Sequence, residues 1–270
     1  MTASAVKVRT DDGCDLHVEQ DGEGQPLLLI SGLGGKADFW GAVRTELRHH
    51  FRLMMFDHRG TGHSDRPTDG YSIARLAADA LAVLDALDIP RASVVGHSTG
   101  GAIAQTLALD ASPRVDRLVI SGSWARADYR FRLLFKTRLA VIQQAGPAAY
   151  AALGQILSFP PDWISAHEEA IERVIVQAAG EHASQAPVEA RLRMLFDHDR
   201  LDELHRITSP TLVLGAADDM IVPFYHSRLI AERVGQAKLV EISGGHFFPQ
   251  TAPLRFAEAV IAFVQHADAI

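Results

Sequence analysis

The stretch VVGHSTGG, residues 94–101, decides how this chain is read. Val94 and Val95 lie in a short apolar run, ASVVGH, and AIAQTLAL follows the stretch with helical spacing. Between the two, Gly96, Ser98 and Gly100 fit Gly-x-Ser-x-Gly. Where a strand turns at once into a helix, backbone and helix come too close for side chains, and glycine relieves the crowding. The residue at the apex is forced into a strained conformation. A surface loop has no reason to carry that cost, whereas a nucleophile has one. The pattern alone is common, and a helix-capping serine in a glycine-rich loop is its plain alternative. The flanking strand and helix make Ser98 the candidate nucleophile.

Outward from this turn, short apolar runs alternate with amphipathic segments. PLLLIS (26–31) and FRLMMFD (51–57) are continuous apolar runs, as expected of strands buried on both faces. SIARLAADALAVLDALD (72–88) has helical periodicity, with Ser72 as N-cap and Asp79 and Asp85 on the polar side. Downstream come a helix at 99–110 and the strand VDRLVISG. Then follow the strand PTLVLGA (210–216), the helix FYHSRLIAERV, the strand AKLVEIS (237–243) and a last helix over about 252–267. AVKVRT and DLHVEQ read as two strands around the turn DDG. The alternation predicts an α/β fold with a mostly parallel central sheet flanked by helices. Between 124 and 206 it stops, and the segment is helix-like throughout. Residues 1–123 and 207–270 are therefore expected to form the core and 124–206 an inserted helical lid. In such sheets ligands bind beyond the C-terminal strand ends, where a lid would cover them.

A chain of 270 residues, 47% hydrophobic and 22% charged, buries a substantial core. Its net charge of −7 argues against nucleic acid as a partner. No apolar run approaches the roughly 20 residues that span a bilayer, so no membrane partner is expected. The opening MTASAVKVRTDDG lacks the apolar core of a signal peptide, and the single Cys14 cannot form an internal disulfide. A cytoplasmic protein with a small-molecule substrate follows, a homodimer being compatible. Cys14 is expected to have no chemical role. FDHDRLDELH (196–205) gathers acids and histidines but reads as a solvated helix face, so neither a metal nor a cofactor is expected.

A serine hydroxyl needs a base to attack at neutral pH. Among 13 histidines position selects His246, which follows the last predicted strand in EISGGHFF. His97 adjoins Ser98 but should point elsewhere, and His49, His50, His58 and His63 read as loop or surface residues. The base needs a carboxylate to fix its tautomer. The stretch PTLVLGAADDMIVP offers two. The spacing from Gly215 favours Asp218, while that from Pro210 and to Pro223 favours Asp219, which is preferred. Charge developing on a carbonyl oxygen would be met by two backbone amides. One is that of Thr99, at the helix N-terminus, and the other that of Leu33, in SGLGG after the strand PLLLIS.

With these residues in place the whole chain resembles an α/β-hydrolase. SGLGG resembles the family's His-Gly-x-x-Gly oxyanion loop, with Ser31 in place of the histidine. DHRGTGHSD resembles its structural Asp-x-Arg-Gly-x-Gly-x-Ser loop, and GHSTGG, ADDMIVP and GGH match nucleophile, acid and base. YSIARLAADALAVLDALDIPRASVVGHSTGG resembles the 3-oxoadipate enol-lactonase branch. LISGLGGKADFW, FPPDWISA and ADDMIVPFYHS resemble the aminoacrylate or carbamate hydrolases of bacterial pyrimidine breakdown, the nearer branch because the lid also matches. The resemblance implies a hydrolase that cleaves a small ester, enol-lactone, amide or carbamate through an acyl-serine. The rivals are a C–C bond hydrolase of ring-cleavage products and a non-catalytic receptor for a small ligand on the same scaffold.

The lid supplies the expected pocket. WARADYRFRLLFKTR (124–138) is basic: if one or two of Arg126, Arg130 and Arg132 turn inward, the site favours a small carboxylate substrate, the alternative being a solvated basic helix face. Trp124, which follows a strand end, is expected to line the pocket, with Phe159 and Trp163 forming an apolar wall or the lid's own core and Phe247, after His246, packing either way.

Overall fold

The computed structural model describes residues 4–180 and 185–265. Eight strands form one sheet in the order β1-β2-β4-β3-β5-β6-β7-β8. They are β1 (Ser4–Arg9), β2 (Asp15–Asp21), β3 (Gln25–Ile30), β4 (Phe51–Phe56), β5 (Ala92–His97), β6 (Val115–Ser121), β7 (Thr211–Gly215) and β8 (Lys238–Glu241). β2 runs antiparallel to both β1 and β4, and the remaining neighbours are parallel. The helices are α1 (Gly41–Leu47), α2 (Ile73–Ala86), α3 (Thr99–Asp110), α4 (Tyr129–Ser158), α5 (Pro161–Ala166), α6 (Glu168–Gly180), α7 (Gln185–Met194), α8 (Phe224–Arg233), α9 (Phe248–Thr251) and α10 (Pro253–Gln265).

Successive strand residues face opposite sides of the sheet, so each central strand feeds two cores. Leu28, Ile30, Met54, Val94, Leu118 and Ile120 pack on one side, together with Leu76 and Val83 of α2 and Ile103 and Leu107 of α3. Leu27, Leu29, Met55, Val95, Val119 and Leu212 pack on the other, with Val43 of α1 and Phe256, Val260 and Phe263 of α10. This is why those strands read as unbroken apolar runs. Ser72 caps α2 as its sequence implies, its Oγ accepting the Arg75 amide at 3.0 Å.

Asp79 departs from its expected polar face. It is fully buried in α2, and its two oxygens accept Nε and Nη2 of Arg59, both at 2.7 Å. A buried carboxylate is stable there because a fork-shaped cation satisfies both oxygens. Arg59 also reaches Asp12, which ties the loop after β4 to the β1–β2 turn.

The 196–205 stretch is not a solvated helix face either. It ends in a short 3₁₀ turn, Leu201–Arg206, with Leu201 and Leu204 buried. His198 is buried edge-on against Trp124 at 5.9 Å, and that burial lowers its pKa to about 4.

Among the described residues, the segment between β6 and β7 contributes α4 to α7 and no strand to the sheet. α4 is two helices in one run, because Gly146 (φ +83°) leaves helical geometry just before Pro147. Glycine accepts that conformation and proline cannot continue the preceding ladder, so the axis bends there. No helix among the described residues is long and apolar enough to cross a membrane.

Candidate active site

β5 ends at His97, and the chain turns into α3 through Ser98, whose backbone sits at φ +55°, ψ −117°. For a residue other than glycine this is a strained region, costing on the order of 1–3 kcal/mol. The glycines of the turn are demanded by space. A Cβ on Gly96 would lie 2.1 Å from the Gly100 carbonyl oxygen, and one on Gly100 would lie 2.0 Å from that of Ile30. The strain is held by backbone bonds. The Ser98 amide donates to the Ser121 carbonyl at 2.8 Å, and its own carbonyl accepts Ser123 Oγ at 2.8 Å.

His246 lies in the loop after β8 and Asp219 in the loop after β7, the strand between β8 and the β6 neighbour of β5. Nδ1 of His246 donates to Asp219 Oδ2 at 2.7 Å, which fixes the tautomer, since a carboxylate can only accept. Its Nε2 is thereby left to accept, and it lies 3.0 Å from Ser98 Oγ. All three side chains are buried. Asp219 Oδ1 accepts the amides of Ile221 and Val222, both at 2.8 Å, so the carboxylate is fixed by its own loop.

The neighbouring Asp218 is no idle loop carboxylate. It accepts the amides of Gly244 at 3.2 Å and Gly245 at 2.9 Å and so ties down the turn that carries His246. The two adjacent acids divide the work: one meets the imidazole, the other holds its loop.

Thr99 opens α3, with the Gly101 and Ala102 amides donating to the Ser98 carbonyl at 2.9 and 3.3 Å. The Thr99 amide belongs to the first turn of the helix, where no intrahelical acceptor exists. Leu33 stands in the loop after β3 and faces the same cavity as Ser98. Its carbonyl accepts Nη2 of Arg191, while Nη1 of that arginine donates to the Arg59 carbonyl at 2.8 Å. Arg191, on α7, is thus a clasp between the loops after β3 and β4. Its burial pushes the guanidinium pKa down to about 10.

His97 is buried beside the site rather than in it. Its Nδ1 lies 3.0 Å from Ser121 Oγ, its ring stacks on Phe39 at 4.9 Å, and the His246 ring is 5.0 Å away. Burial, with the nearby His246, holds its pKa well below that of free histidine. His58 departs from its expected surface position: it is fully buried and both ring nitrogens lack partners. Burial likewise keeps it neutral.

A cavity of about 700 Å³ opens at Ser98 and His246. Leu33, Phe39 and Phe247 line it from the sheet side, and Phe135, Ile142 and Tyr150 from α4. Phe247 thus packs on the pocket side, whereas the other candidate wall residues are elsewhere. Trp124 is packed in the core on Phe131 at 4.5 Å. Phe159 stacks on Trp163 at 3.9 Å and touches Phe247 edge-on at 5.2 Å, so this pair stands behind the wall. Arg130 is spent on the carbonyls of Ile221 and Met220, Arg126 on Asp199 and Asp202, and the exposed Arg132 on the Ala127 carbonyl. The basic groups that do reach the cavity from the helical segment are Arg138 and Arg191. Arg138 lies within the basic stretch read from sequence, and the breaker pair Gly146-Pro147 was the available sign that α4 bends.

Among the described residues, His17, Asp57 and His63 bring potential ligand atoms within 4.8 Å of one another. Asp57 is already committed to closing its loop, its oxygens accepting the amides of Ala37 and His63 at 2.8 Å each.

The sequence pattern of the alpha/beta hydrolase fold matches residues 25–253. The chain belongs to the α/β-hydrolase family. It is 37% identical over 252 residues to a Caulobacter sp. (strain K31) protein named "Putative carbamate hydrolase RutD", covering 93% of this chain and 94% of that one. It is 35% identical to the protein of that name from Azorhizobium caulinodans, over 94% of this chain and 96% of that one. A hydrolase from Pseudomonas aeruginosa PA01 superposes with a TM-score of 0.87 at 31% identity, over 97% and 98% of the two chains. The enol-lactonase of Burkholderia xenovorans LB400 shares the fold at a TM-score of 0.89 and 24% identity, over 97% and 100%. As an α/β-hydrolase the chain carries the Ser98 turn at the C-terminal end of β5, in the middle of its mostly parallel sheet.

Proposed function

We propose that this α/β-hydrolase cleaves a small carbonyl substrate through an acyl-serine, with Ser98 as nucleophile, His246 as general base and acid, and Asp219 as the carboxylate that orients it. The unbroken relay from Asp219 Oδ2 to His246 Nδ1 and from His246 Nε2 to Ser98 Oγ, at 2.7 and 3.0 Å, carries this reading. His246 takes the Ser98 proton as Oγ attacks the carbonyl carbon. The oxyanion is met by the amides of Thr99 and Leu33, each such donor being typically worth about 10²–10³ in rate. His246 then gives its proton to the leaving group, and a water activated by the same imidazole frees the acid and restores Ser98.

The substrate is a small ester, enol-lactone, amide or carbamate. The cavity suits a compact molecule, and the extended identity with proteins named as carbamate hydrolases favours a carbamate or a related acyl–nitrogen bond. Residues 124–206 act as the lid, since helices from that segment roof the cavity whose floor holds Ser98. A fluorophosphonate probe is expected to label Ser98, and a panel of small esters, enol-lactones and carbamates to be turned over. A Ser98→Ala protein that kept its turnover would overturn the reading.

A further inference from the structure

Arg138 is 8% exposed, faces the cavity that holds Ser98, and has no carboxylate partner among the described residues. Its Nη2 donates to the Tyr150 hydroxyl at 3.1 Å. Its buried Nε has no hydrogen-bond partner at all. The guanidinium is held between rings, 5.4 Å from the centre of Phe135 and 4.8 Å from that of Tyr150. A buried cation flanked by aromatic faces and lacking an anion is costly unless something supplies the charge. Arg59 has Asp12 and Asp79, and Arg200 has Asp110, whereas the half-buried Arg117 has no acid among the described residues but lies over the Phe263 ring and does not line the cavity. Arg191 also lacks an acid, yet its donors are spent on two loop carbonyls.

The pairing is made by the bend in α4. Twelve residues of straight helix separate their ends by about 18 Å. The break at Gly146 turns the second half of the run back, and Arg138 and Tyr150 meet across it. The acids that share the cavity are engaged elsewhere or exposed: Glu19 pairs with Arg44 at 2.6 Å, Asp57 holds two amides, and Asp38 lies open to solvent.

We infer that Arg138 and Tyr150 form a carboxylate subsite, so that the preferred substrate carries, besides its scissile bond, a second group that is an anionic carboxylate. The planar fork of Arg138 offers that group the unpaired Nε and its neighbouring N–H, and the Tyr150 O–H adds a donor. The inference rests on Ser98 acting as proposed only insofar as turnover reports it.

The test compares two isosteres, monomethyl succinate and methyl succinamate, which differ by a carboxylate against a carboxamide. Wild-type kcat/KM is expected to favour the acid by about tenfold or more, as a charge-assisted pair requires. Arg138→Met is expected to bring that ratio near one, Arg138→Lys to leave a partial preference, and Tyr150→Phe to lower it a few-fold. Arg126→Gln, outside the cavity, is expected to keep the wild-type ratio. Succinate binding to the Ser98→Ala protein, followed by calorimetry, gives a readout without turnover and should weaken about tenfold when Arg138→Met is added. A wild-type ratio at or below one, or the same ratio in wild type, Arg138→Lys and Tyr150→Phe, would overturn the subsite while leaving the serine chemistry intact. Succinate binding that depends on Arg138, with neither ester cleaved, would uphold the subsite and sink the proposed reaction.

Discussion

The rim of the sheet and the helices above it are built in different ways. At the rim, Ser98, Asp219 and His246 leave the ends of β5, β7 and β8, and hydrogen bonds to the backbone hold each of their loops: the Ser121 carbonyl receives the Ser98 amide, the Asp219 carboxylate accepts the amides of Ile221 and Val222, and that of Asp218 ties the turn before His246. Across the cavity, Arg138 and Tyr150 depend on the bend of one helix and on contacts between side chains. Backbone-fixed groups hold a reacting geometry to a fraction of an ångström, which proton transfer and oxyanion binding demand. Side chains on a bent helix can be re-aimed by small changes, which suits a surface that selects a substrate.

The strongest way to break this contrast is at the relay. Asp219→Asn keeps the shape but offers His246 the wrong tautomer, and kcat should fall by about 10⁴ with little change in the unfolding temperature. A loss of tenfold or less would show that the carboxylate does not orient the base. The next largest effect is that of Gly100→Ala, which sets a Cβ 2.0 Å from the Ile30 carbonyl oxygen and should cost about 3 kcal/mol or more. If it folds with wild-type stability, the turn is looser than the close packing implies. Stability against pH comes after it. His58, His97 and His198 are buried with pKa values held below 6.5, so below that pH the unfolded chain takes up protons that the folded chain refuses. Stability should therefore fall as pH falls through 6.5, by about 1.4 kcal/mol between pH 7.5 and 5.5 from His198, whose pKa is about 4, with His58 and His97 acting in the same direction. Urea midpoints at the two pH values check this, and a flat profile would place those rings in contact with water. Arg191→Met sharpens the comparison last, because it cuts the link from α7 to the Leu33 carbonyl. A kcat/KM about tenfold lower, measured beside an unfolding curve, would show the helices helping to set the oxyanion loop, and an unchanged value would show the rim holding itself.

Much of the rim was legible from residues alone, because Ser98, Asp219 and His246 each follow a short strand within a few residues and the parallel sheet brings those strand ends together. Even the choice between Asp218 and Asp219 rested on spacing, and only the coordinates reveal that both are used. The helical segment was less legible for a physical reason. A helix presents residues on a face that its bends and neighbours determine, so Arg130 and Arg138, eight residues apart in one basic stretch, end on a loop carbonyl and on the cavity respectively. Asp79 was misread for a similar reason: polar spacing along α2 gives no sign of Arg59 arriving from another loop. Trp124 was placed at the pocket because it follows a strand end, but Phe131 and His198 enclose it.

The hinge-like break at Gly146 has a lineage-level consequence. A residue gained or lost beside Pro147 would rotate one half of α4 against the other and part Arg138 from Tyr150, and the shift would reach the loop of His246, because the Ser158 carbonyl at the end of α4 accepts the Phe247 amide at 3.0 Å. Descendants of this chain could thus change what the cavity admits, and retune its rim with it, through short insertions at a single bend.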